Sequence, residues 1–349
     1  MSNDIAKEKP NENANVKAAE VTDNSTNDGY KEFLQKTTPT QQKKQTNGKR
    51  RKTINTGYTL RRPLRKWFWL FIGPMVAAFI IGFVWPFIQG IYLSFCQFRL
   101  ISDAEFVGLD NYIKAFSDQS FMRSFWYTGL FAVVSVILIN ILAFAVALAL
   151  TKGIKGSNLF RTVFFMPNLI GGIVLGYIWS MIFDGILSKF GTSIVQDSTW
   201  GFWGLIILIC WQQIGYMMII YIAGLNAVPE DMLEAAKIDG ANRWQTLWKV
   251  TIPNVMPSIT ICMFLSLTNG FKLFDQNMAL TAGQPIVMQD GVGIKQTEML
   301  ALNIYNTFYN NTALTARGTA QAKAVIFFVL VAVIGLAQLA YTRKREVQQ

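Results

Sequence analysis

The sequence predicts an all-α integral membrane protein with six transmembrane helices, and three observations favour this fold class. Of its 349 residues, 52% are hydrophobic and 15% are charged, whereas about 25% are charged in an average soluble domain. Six stretches without a charged residue are about as long as the roughly 20 residues with which an α-helix crosses hydrocarbon. These stretches also lack the alternation of apolar and polar residues that a transmembrane β-strand requires, since residues 137–150 are apolar except for Asn140.

The six uncharged stretches are residues 67–98, 124–151, 162–183, 198–229, 250–271 and 324–342. A single stretch of this kind could be a buried helix of a soluble protein, but six in series exclude that alternative. Pro74 and Pro86 lie inside the first stretch, so we expect its helix to be kinked or to break near Pro86. A further helix, outside the hydrocarbon, is predicted at residues 297–308, where Met299, Leu302 and Tyr305 recur at helical spacing.

The distribution of positive charge predicts the orientation. Of the 32 Lys and Arg residues, 24 fall in the N-terminal region 1–66, the loop 152–161, the loop between the fourth and fifth stretches, or the C-terminal tail. By the positive-inside rule, both termini are expected in the cytoplasm of a multi-pass protein of the cytoplasmic membrane. Residues 99–123, 184–197 and 272–323 are then external.

The N-terminal residues 1–62 are rich in Asn, Thr, Gln and Lys and are expected to form a disordered basic cytoplasmic tail. Two basic clusters, at residues 49–52 and 61–66, precede the first helix and are expected to meet anionic membrane lipid rather than nucleic acid. The first transmembrane helix and its external loop are assigned to residues 63–123. The main transmembrane domain is assigned to residues 124–345.

Residue types that support catalysis or metal binding are scarce. Histidine is absent, which removes the commonest general base and the commonest zinc ligand. Cys96, Cys210 and Cys262 lie in or beside apolar stretches and are interpreted as small hydrophobic residues. No phosphate-binding loop of the form GxxxxGK[ST] occurs. The protein is therefore predicted to be no enzyme and to hold no cofactor or metal, and any ATP hydrolysis must occur in another subunit.

The cytoplasmic loop at residues 226–253 carries the most informative pattern. Pro229 followed by Glu230 and Asp231 indicates a helix start, and Gly240 indicates its end. A second short helix is expected over residues 242–250 with Trp244 and Trp248 on one face, ended by Pro253.

Two amphipathic helices joined in this way could bind DNA, dock a protein, or be a purely structural interfacial hairpin. The DNA-binding alternative conflicts with the excess of acidic residues over basic ones. Spacing alone does not decide between the other two.

A resemblance decides between them. Glu234-Ala235-Ala236, then Gly240, then Ile252-Pro253 resembles the EAA coupling loop of permease subunits of bacterial binding-protein-dependent ABC importers. Further similarities to the carbohydrate branch, which includes the maltose permeases, are found in the segment 106–112 (FVGLDNY), in Arg161 with Met166-Pro167, and in residues 297–305. The resemblance covers roughly residues 67–346 and leaves out the N-terminal tail.

The resemblance implies the fold, the partners and the role of the loop. It implies a type I ABC importer transmembrane domain that pairs with a second homologous permease subunit, two cytosolic ATPases, and an extracellular or lipid-anchored solute-binding protein. The hairpin would fit a cleft in an ATPase, with Glu234 pairing an arginine there and Gly240 setting the bend.

Polar residues within the stretches are candidates for a substrate pathway, because polar groups inside a membrane are costly. Amide and hydroxyl groups bind sugar hydroxyls, and aromatic faces cover sugar C–H surfaces. Tyr216 and Ser266 resemble sugar-contacting positions of the maltose permease. The alternative is that these side chains only bond helices together. The candidates are Trp211, Gln212, Gln213, Tyr216, Ser266, Asn269 and Gly270.

The predicted function is therefore transport of a sugar or oligosaccharide by an ATP-driven importer, and three other classes are alternatives. A permease for a non-sugar solute would share the coupling loop. An independent secondary transporter should show an inverted repeat and buried ion-coupling carboxylates, which are not visible. An intramembrane enzyme would need a nucleophile and a base facing a cavity, and the sequence offers no such pair.

Overall fold

The computed structural model describes the backbone of residues 61–313 and 315–344 and the side chains from Phe68 onward. The chain divides into two units, Met1–Phe68 and Trp69–Gln349, and the second unit is described below. All but the last two residues of the predicted disordered tail, 1–62, lie outside the described residues.

Six helices are long and apolar enough to cross a membrane, which confirms the predicted fold class. We name them spans 1 to 6. They are Phe68–Ser94, Gln119–Leu150, Gly172–Phe190, Ser198–Asn226, Arg243–Phe271 and Ala316–Arg343.

Span 4 lies at the centre of the unit and packs most extensively against span 2, while span 5 contacts both. The core of the unit lies between these three helices, where Phe131, Leu205 and Met217 are fully buried. Span 1 buries none of its most apolar segment inside this chain. Its Phe87 ring meets the Phe328 ring of span 6 edge-on, with centroids 5.0 Å apart.

Span 1 and span 5 each continue through a proline. Span 1 contains the π-helical turn Ile80–Val84 shortly before Pro86, and span 5 contains the π-helical turn Leu247–Thr251 shortly before Pro253. A proline ring clashes with the carbonyl four residues earlier, and a wider turn moves that carbonyl away. The expectation that Pro253 ends a helix is therefore wrong, because the helix runs on from Arg243 to Phe271.

The third predicted stretch, 162–183, is two separate helices rather than one. The helix Ser157–Phe165 is followed by the 3₁₀ turn Met166–Leu169, and span 3 begins only at Gly172. Pro167 lies in the first turn of the 3₁₀ segment and cannot donate a backbone hydrogen bond. Ile170, with φ −90° and ψ 134°, is extended and completes the break.

The starts of spans 2 and 6 differ from the sequence prediction, whereas span 4 starts at Ser198 as predicted. Span 2 begins at Gln119 because the Asp118 carboxylate caps it, accepting a hydrogen bond of 2.9 Å from the Ser120 backbone N–H. Span 4 is capped in the same way by Asp197, whose pKa is lowered by hydrogen bonds from Thr199. Span 6 begins eight residues earlier than the apolar stretch, at Ala316, and so includes Lys323.

Small elements cover the end of the spans opposite the loop that joins spans 4 and 5. They are the paired strands Cys96–Gln97 and Glu105–Phe106, the helix Asp110–Ser117, the helix Asp275–Leu280, the hairpin of strands Ile286–Gln289 and Val292–Lys295, and a helix at Leu300–Tyr309. The segment 106–112 has a structural role here. Asn111 is fully buried and donates to the carbonyl oxygens of Ser94 and Cys96, at 3.0 and 2.9 Å, which ties the end of span 1 to the helix Asp110–Ser117.

We call the helix Leu300–Tyr309 the outer helix. It was predicted at 297–308 but begins later, because Thr297 and Glu298 are buried in a turn and an irregular segment before it. It packs against span 6. All three cysteines are buried and unpaired, in keeping with their interpretation as small hydrophobic residues.

Candidate functional site

The loop between spans 4 and 5 forms a rigid turn. Its helix, Glu230–Ile238, begins after Pro229, which occupies the N-cap rather than the first helical position. At the other end, Gly240 has φ +78° and its N–H donates to the Lys237 carbonyl at 3.1 Å. The Ala241 N–H donates to the Ala236 carbonyl at 2.9 Å, which completes a Schellman motif.

Span 5 begins with a second cap directly after this turn. The Asn242 side chain accepts from the Gln245 backbone at 2.9 Å, and the Gln245 side chain accepts from the Asn242 backbone at 2.8 Å. This reciprocal pair is a capping box. The two helices of the loop are therefore fixed at both sides of a four-residue connection, 239–242, and the turn has few ways to bend.

The surface of this loop combines exposed carboxylates with large exposed apolar side chains. Glu234 and Ala235 are exposed, and Glu234 forms no ion pair with any residue that the structure describes. Ile238, Trp244 and Trp248 are 86%, 70% and 62% exposed. We call this set the coupling surface. Of the other predicted coupling residues, Ala236 is buried, and Ile252 and Pro253 are half-buried in span 5.

A second candidate site is a polar cavity of about 290 Å³ where spans 4 and 5 meet the end of the 3₁₀ turn. We call it the amide cavity. It is lined by Asn168, Gln212, Gln213, Asn269, Lys272, Leu273, Phe274, Asp275 and Gln276.

Hydrogen bonds in the amide cavity leave some amide groups free. Gln212 donates to the Ile170 carbonyl at 3.3 Å and accepts from Gln276 at 2.7 Å. Asn269 donates to Gln213 Oε1 at 3.2 Å. Within the described residues, Asn269 Oδ1 and Gln213 Nε2 have no hydrogen-bond partner, so the cavity offers both an acceptor and a donor to a bound molecule.

The structure brings together three of the seven predicted pathway residues, Gln212, Gln213 and Asn269. Tyr216 is 36% exposed and follows Gln212 by one helical turn. Trp211 is 42% exposed and packs edge-on against Trp179, with ring centroids 5.5 Å apart. Trp211 and Tyr216 do not line the cavity.

The remaining two pathway residues, Ser266 and Gly270, lie between helices. Ser266 Oγ accepts from Asn140 at 2.8 Å, and Tyr221 donates to the same Asn140 at 2.6 Å. These two hydrogen bonds join spans 2, 4 and 5 in the core. A Cβ at Gly270 would lie 3.2 Å from Ser135 Oγ of span 2. For both residues, this placement favours the helix-contact alternative.

A buried charged cluster that contacts the outer helix was not predicted. Lys323 of span 6 is fully buried. Its ammonium donates to Asp118 at 2.6 Å, Asn303 at 3.0 Å and Thr307 at 2.9 Å. Asn303 in turn donates to the buried Glu298 at 2.7 Å. A charge within an otherwise helical apolar pattern was the available signal, but the search for uncharged stretches began the sixth one after Lys323 and so left it out.

Comparisons with known proteins address the predicted resemblance. Residues 142–347 match the family described as the binding-protein-dependent transport system inner membrane component. The chain belongs to this family. It is therefore a multi-pass component of a transport system of the cytoplasmic membrane rather than an enzyme, and the predicted family is confirmed.

Relatives of this transport component cover most of its length. The probable starch degradation products transport system permease protein AmyD of Thermoanaerobacterium thermosulfurigenes is 41% identical over 81% of this chain and 96% of that protein. The multiple sugar-binding transport system permease protein MsmF of Streptococcus mutans is 30% identical over 83% of this chain and 100% of that protein.

A solved structure has the same fold. A chain of a bacterial ABC transporter involved in the import of the acidic polysaccharide alginate matches with a TM-score of 0.66 at 19% identity, over 82% of this chain and 98% of that one.

Among the described residues of the transport component, no group of three or more His, Cys, Asp or Glu side chains could hold a metal ion.

Proposed function

We propose that this transport component is the permease subunit through which an ATP-driven importer takes up a sugar or oligosaccharide. The observation that carries the proposal is the amide cavity, where Gln213 and Asn269 hold a free donor and a free acceptor between spans 4 and 5. Such neutral groups match sugar hydroxyls, each of which donates and accepts hydrogen bonds. The names of the two relatives, which refer to starch degradation products and to multiple sugars, support the same substrate class.

The coupling surface is proposed to receive the ATPase. A turn fixed by a Schellman motif and a capping box transmits displacement rather than absorbing it, and it presents Glu234 with the exposed rings of Trp244 and Trp248. Exposed aromatic side chains are typical of the centre of a protein interface. The proposed assembly contains a second homologous permease, two cytosolic ATPases and an external solute-binding protein.

Labelled maltose and maltooligosaccharides are the probes for the substrate, tested by uptake into cells that lack or express this chain. Wild-type uptake of at least one of these sugars is expected. Uptake of a non-sugar solute by the same complex, with none of these sugars transported, would contradict the assignment.

The variant Gln213→Leu is expected to lower that uptake by about ten- to a hundredfold. It removes a hydrogen-bonding group from the amide cavity and leaves sugar hydroxyls unpaired, at a cost of ~1 to 3 kcal/mol. The matched control is Gln196→Leu, because Gln196 is an exposed residue of the loop between spans 3 and 4. Membrane levels and ATPase association are measured for both variants. Normal uptake by Gln213→Leu would remove the amide cavity from the pathway.

The proposed orientation places both termini and the coupling surface in the cytoplasm. In intact cells, a membrane-impermeant thiol reagent is expected to label Ser102→Cys and Gln289→Cys, which are exposed at the opposite end of the spans. It should label Asp239→Cys, exposed in the loop, only after permeabilisation. The three native cysteines are buried and should give little background. Labelling of Asp239→Cys from outside would reverse the orientation.

A further inference from the structure

The outer helix, Leu300–Tyr309, has its polar face buried and its aromatic face open. Its polar side chains Asn303 and Thr307 accept hydrogen bonds from the buried Lys323, and Asn303 and Asn306 both donate to the buried Glu298. The opposite face lines a cavity of about 440 Å³ with residues at helical spacing, namely Ala301, Ile304, Tyr305, Phe308 and Tyr309.

The rings on this face form a continuous series that reaches the amide cavity. Ring centroids are 5.2 Å apart between Phe274 and Tyr305, 4.8 Å between Tyr305 and Tyr309, and 4.9 Å between Tyr309 and Phe308. Phe274 lines both the amide cavity and the cavity of about 440 Å³ beside the outer helix. We call the latter the aromatic cavity. The two cavities are therefore neighbours that share one wall.

The aromatic cavity also holds polar groups that nothing else uses. Within the described part of the chain, the hydroxyl groups of Tyr305 and Tyr309 and the side-chain amide of Gln321 have no hydrogen-bond partner, although all three residues line the cavity. A wall that only met lipid chains would gain nothing from an amide. Mostly apolar rings with a few free polar groups are typical of a small-molecule site.

The buried cluster holds this face in place. Lys323 and Glu298 are both almost fully buried and make at least two hydrogen bonds each, so the outer helix is fixed at Asn303, Asn306 and Thr307. Side chains supported from behind in this way lose little conformational freedom on binding a ligand.

We propose that Tyr305, Tyr309 and Phe308 form a second carbohydrate subsite, which holds the part of an oligosaccharide that extends beyond the amide cavity. The proposal rests on the proposed sugar-transport function. The rings would cover the C–H faces of sugar residues, and the free hydroxyl and amide groups would bond their hydroxyls. The site would make the permease favour longer oligosaccharides over short ones.

The test compares uptake of maltose and maltoheptaose by cells expressing the complete importer with Tyr305→Leu, Tyr309→Leu or Tyr305→Phe. Leucine keeps an apolar side chain but removes the ring, whereas phenylalanine keeps the ring. Each leucine variant is expected to lower the ratio of maltoheptaose to maltose uptake roughly five- to tenfold, and Tyr305→Phe is expected to lower it much less. The control Tyr177→Leu removes an exposed ring of span 3 and should leave the ratio unchanged.

Four outcomes would overturn the subsite. Loss of the second permease on purification of the leucine variants would identify the aromatic face as a subunit contact. Normal assembly with an unchanged ratio would identify it as a lipid-facing belt. An equal loss for both sugars would remove the dependence on chain length. Absence of uptake of either sugar by the wild-type importer would contradict the proposed function itself, and the subsite with it.

Discussion

Glu234→Lys and Gly240→Pro are expected to abolish uptake and to release the ATPase from the purified complex, while the six spans remain inserted. Glu234 is the exposed carboxylate of the coupling surface and has no ion-pair partner among the described residues. Removing one partner of a charged interface contact costs ~2 to 5 kcal/mol, and a reversed charge adds repulsion.

Gly240→Pro acts through the backbone. Gly240 has φ +78° and donates its N–H to Lys237, whereas proline fixes φ near −65° and has no N–H. Loss of the Schellman motif would move the start of span 5, and with it Trp244, away from the helix Glu230–Ile238.

Two control variants show whether the effects are specific to these positions and to these substitutions. Glu105→Lys makes the same charge reversal on an exposed residue at the opposite end of the spans and should have little effect. Gly240→Asn should retain more uptake than Gly240→Pro, because asparagine tolerates a left-handed conformation. Co-purification of the ATPase and uptake are measured for all four variants. Wild-type levels of both for Glu234→Lys and Gly240→Pro would exclude the coupling surface from the mechanism.

Lys323→Met is expected to lower the stability of the protein by ~3 kcal/mol, at the lower end of what breaking a buried ion pair costs. The lower end applies because Asp118, with its side chain 34% exposed, can still be solvated when Lys323 is lost. Asn303 and Thr307 would lose their donor as well. The measurement is the thermal unfolding midpoint of the detergent-solubilised protein.

The matched control for this prediction is Lys114→Met. Lys114 pairs with Asp110 at 2.5 Å, but both side chains are more than 40% exposed, and exposed pairs contribute ~0 to 1 kcal/mol. A larger loss of stability for Lys323→Met than for Lys114→Met supports the buried cluster as the anchor of the outer helix. Equal, small effects would show that the outer helix is held by packing alone.

The spans could be predicted from the sequence because hydrocarbon imposes a simple requirement on length and polarity. Their ends could not, because these depend on local devices such as the Asp118 cap. The continuation through Pro253 depends on a π-helical turn, for which the sequence has no clear signal. The break after Phe165 came from Pro167 and from the extended Ile170, so an uncharged stretch alone overestimated the length of the helix.

The candidate site was predictable where it depends on local sequence. The turn at Gly240 follows from one glycine between two helix signals. The amide cavity was predictable in part, since Gln212, Gln213 and Asn269 were identified as polar residues within spans.

Tertiary contacts decided the rest of the site. Ser266 could equally have faced a cavity, and only the fold places it against Asn140. Lys323 meets Asp118, a residue 205 positions earlier in the sequence, and no pattern in one sequence predicts such a pair.

The most direct test of ATP-driven sugar import is sugar accumulation in proteoliposomes that contain the purified complex of this chain. Maltooligosaccharide and the solute-binding protein are supplied outside, and ATP is supplied on the side of the coupling surface. We expect accumulation that requires ATP and is lost with Glu234→Lys. Accumulation without ATP, driven by an ion gradient and unaffected by Glu234→Lys, would contradict ATP-driven import.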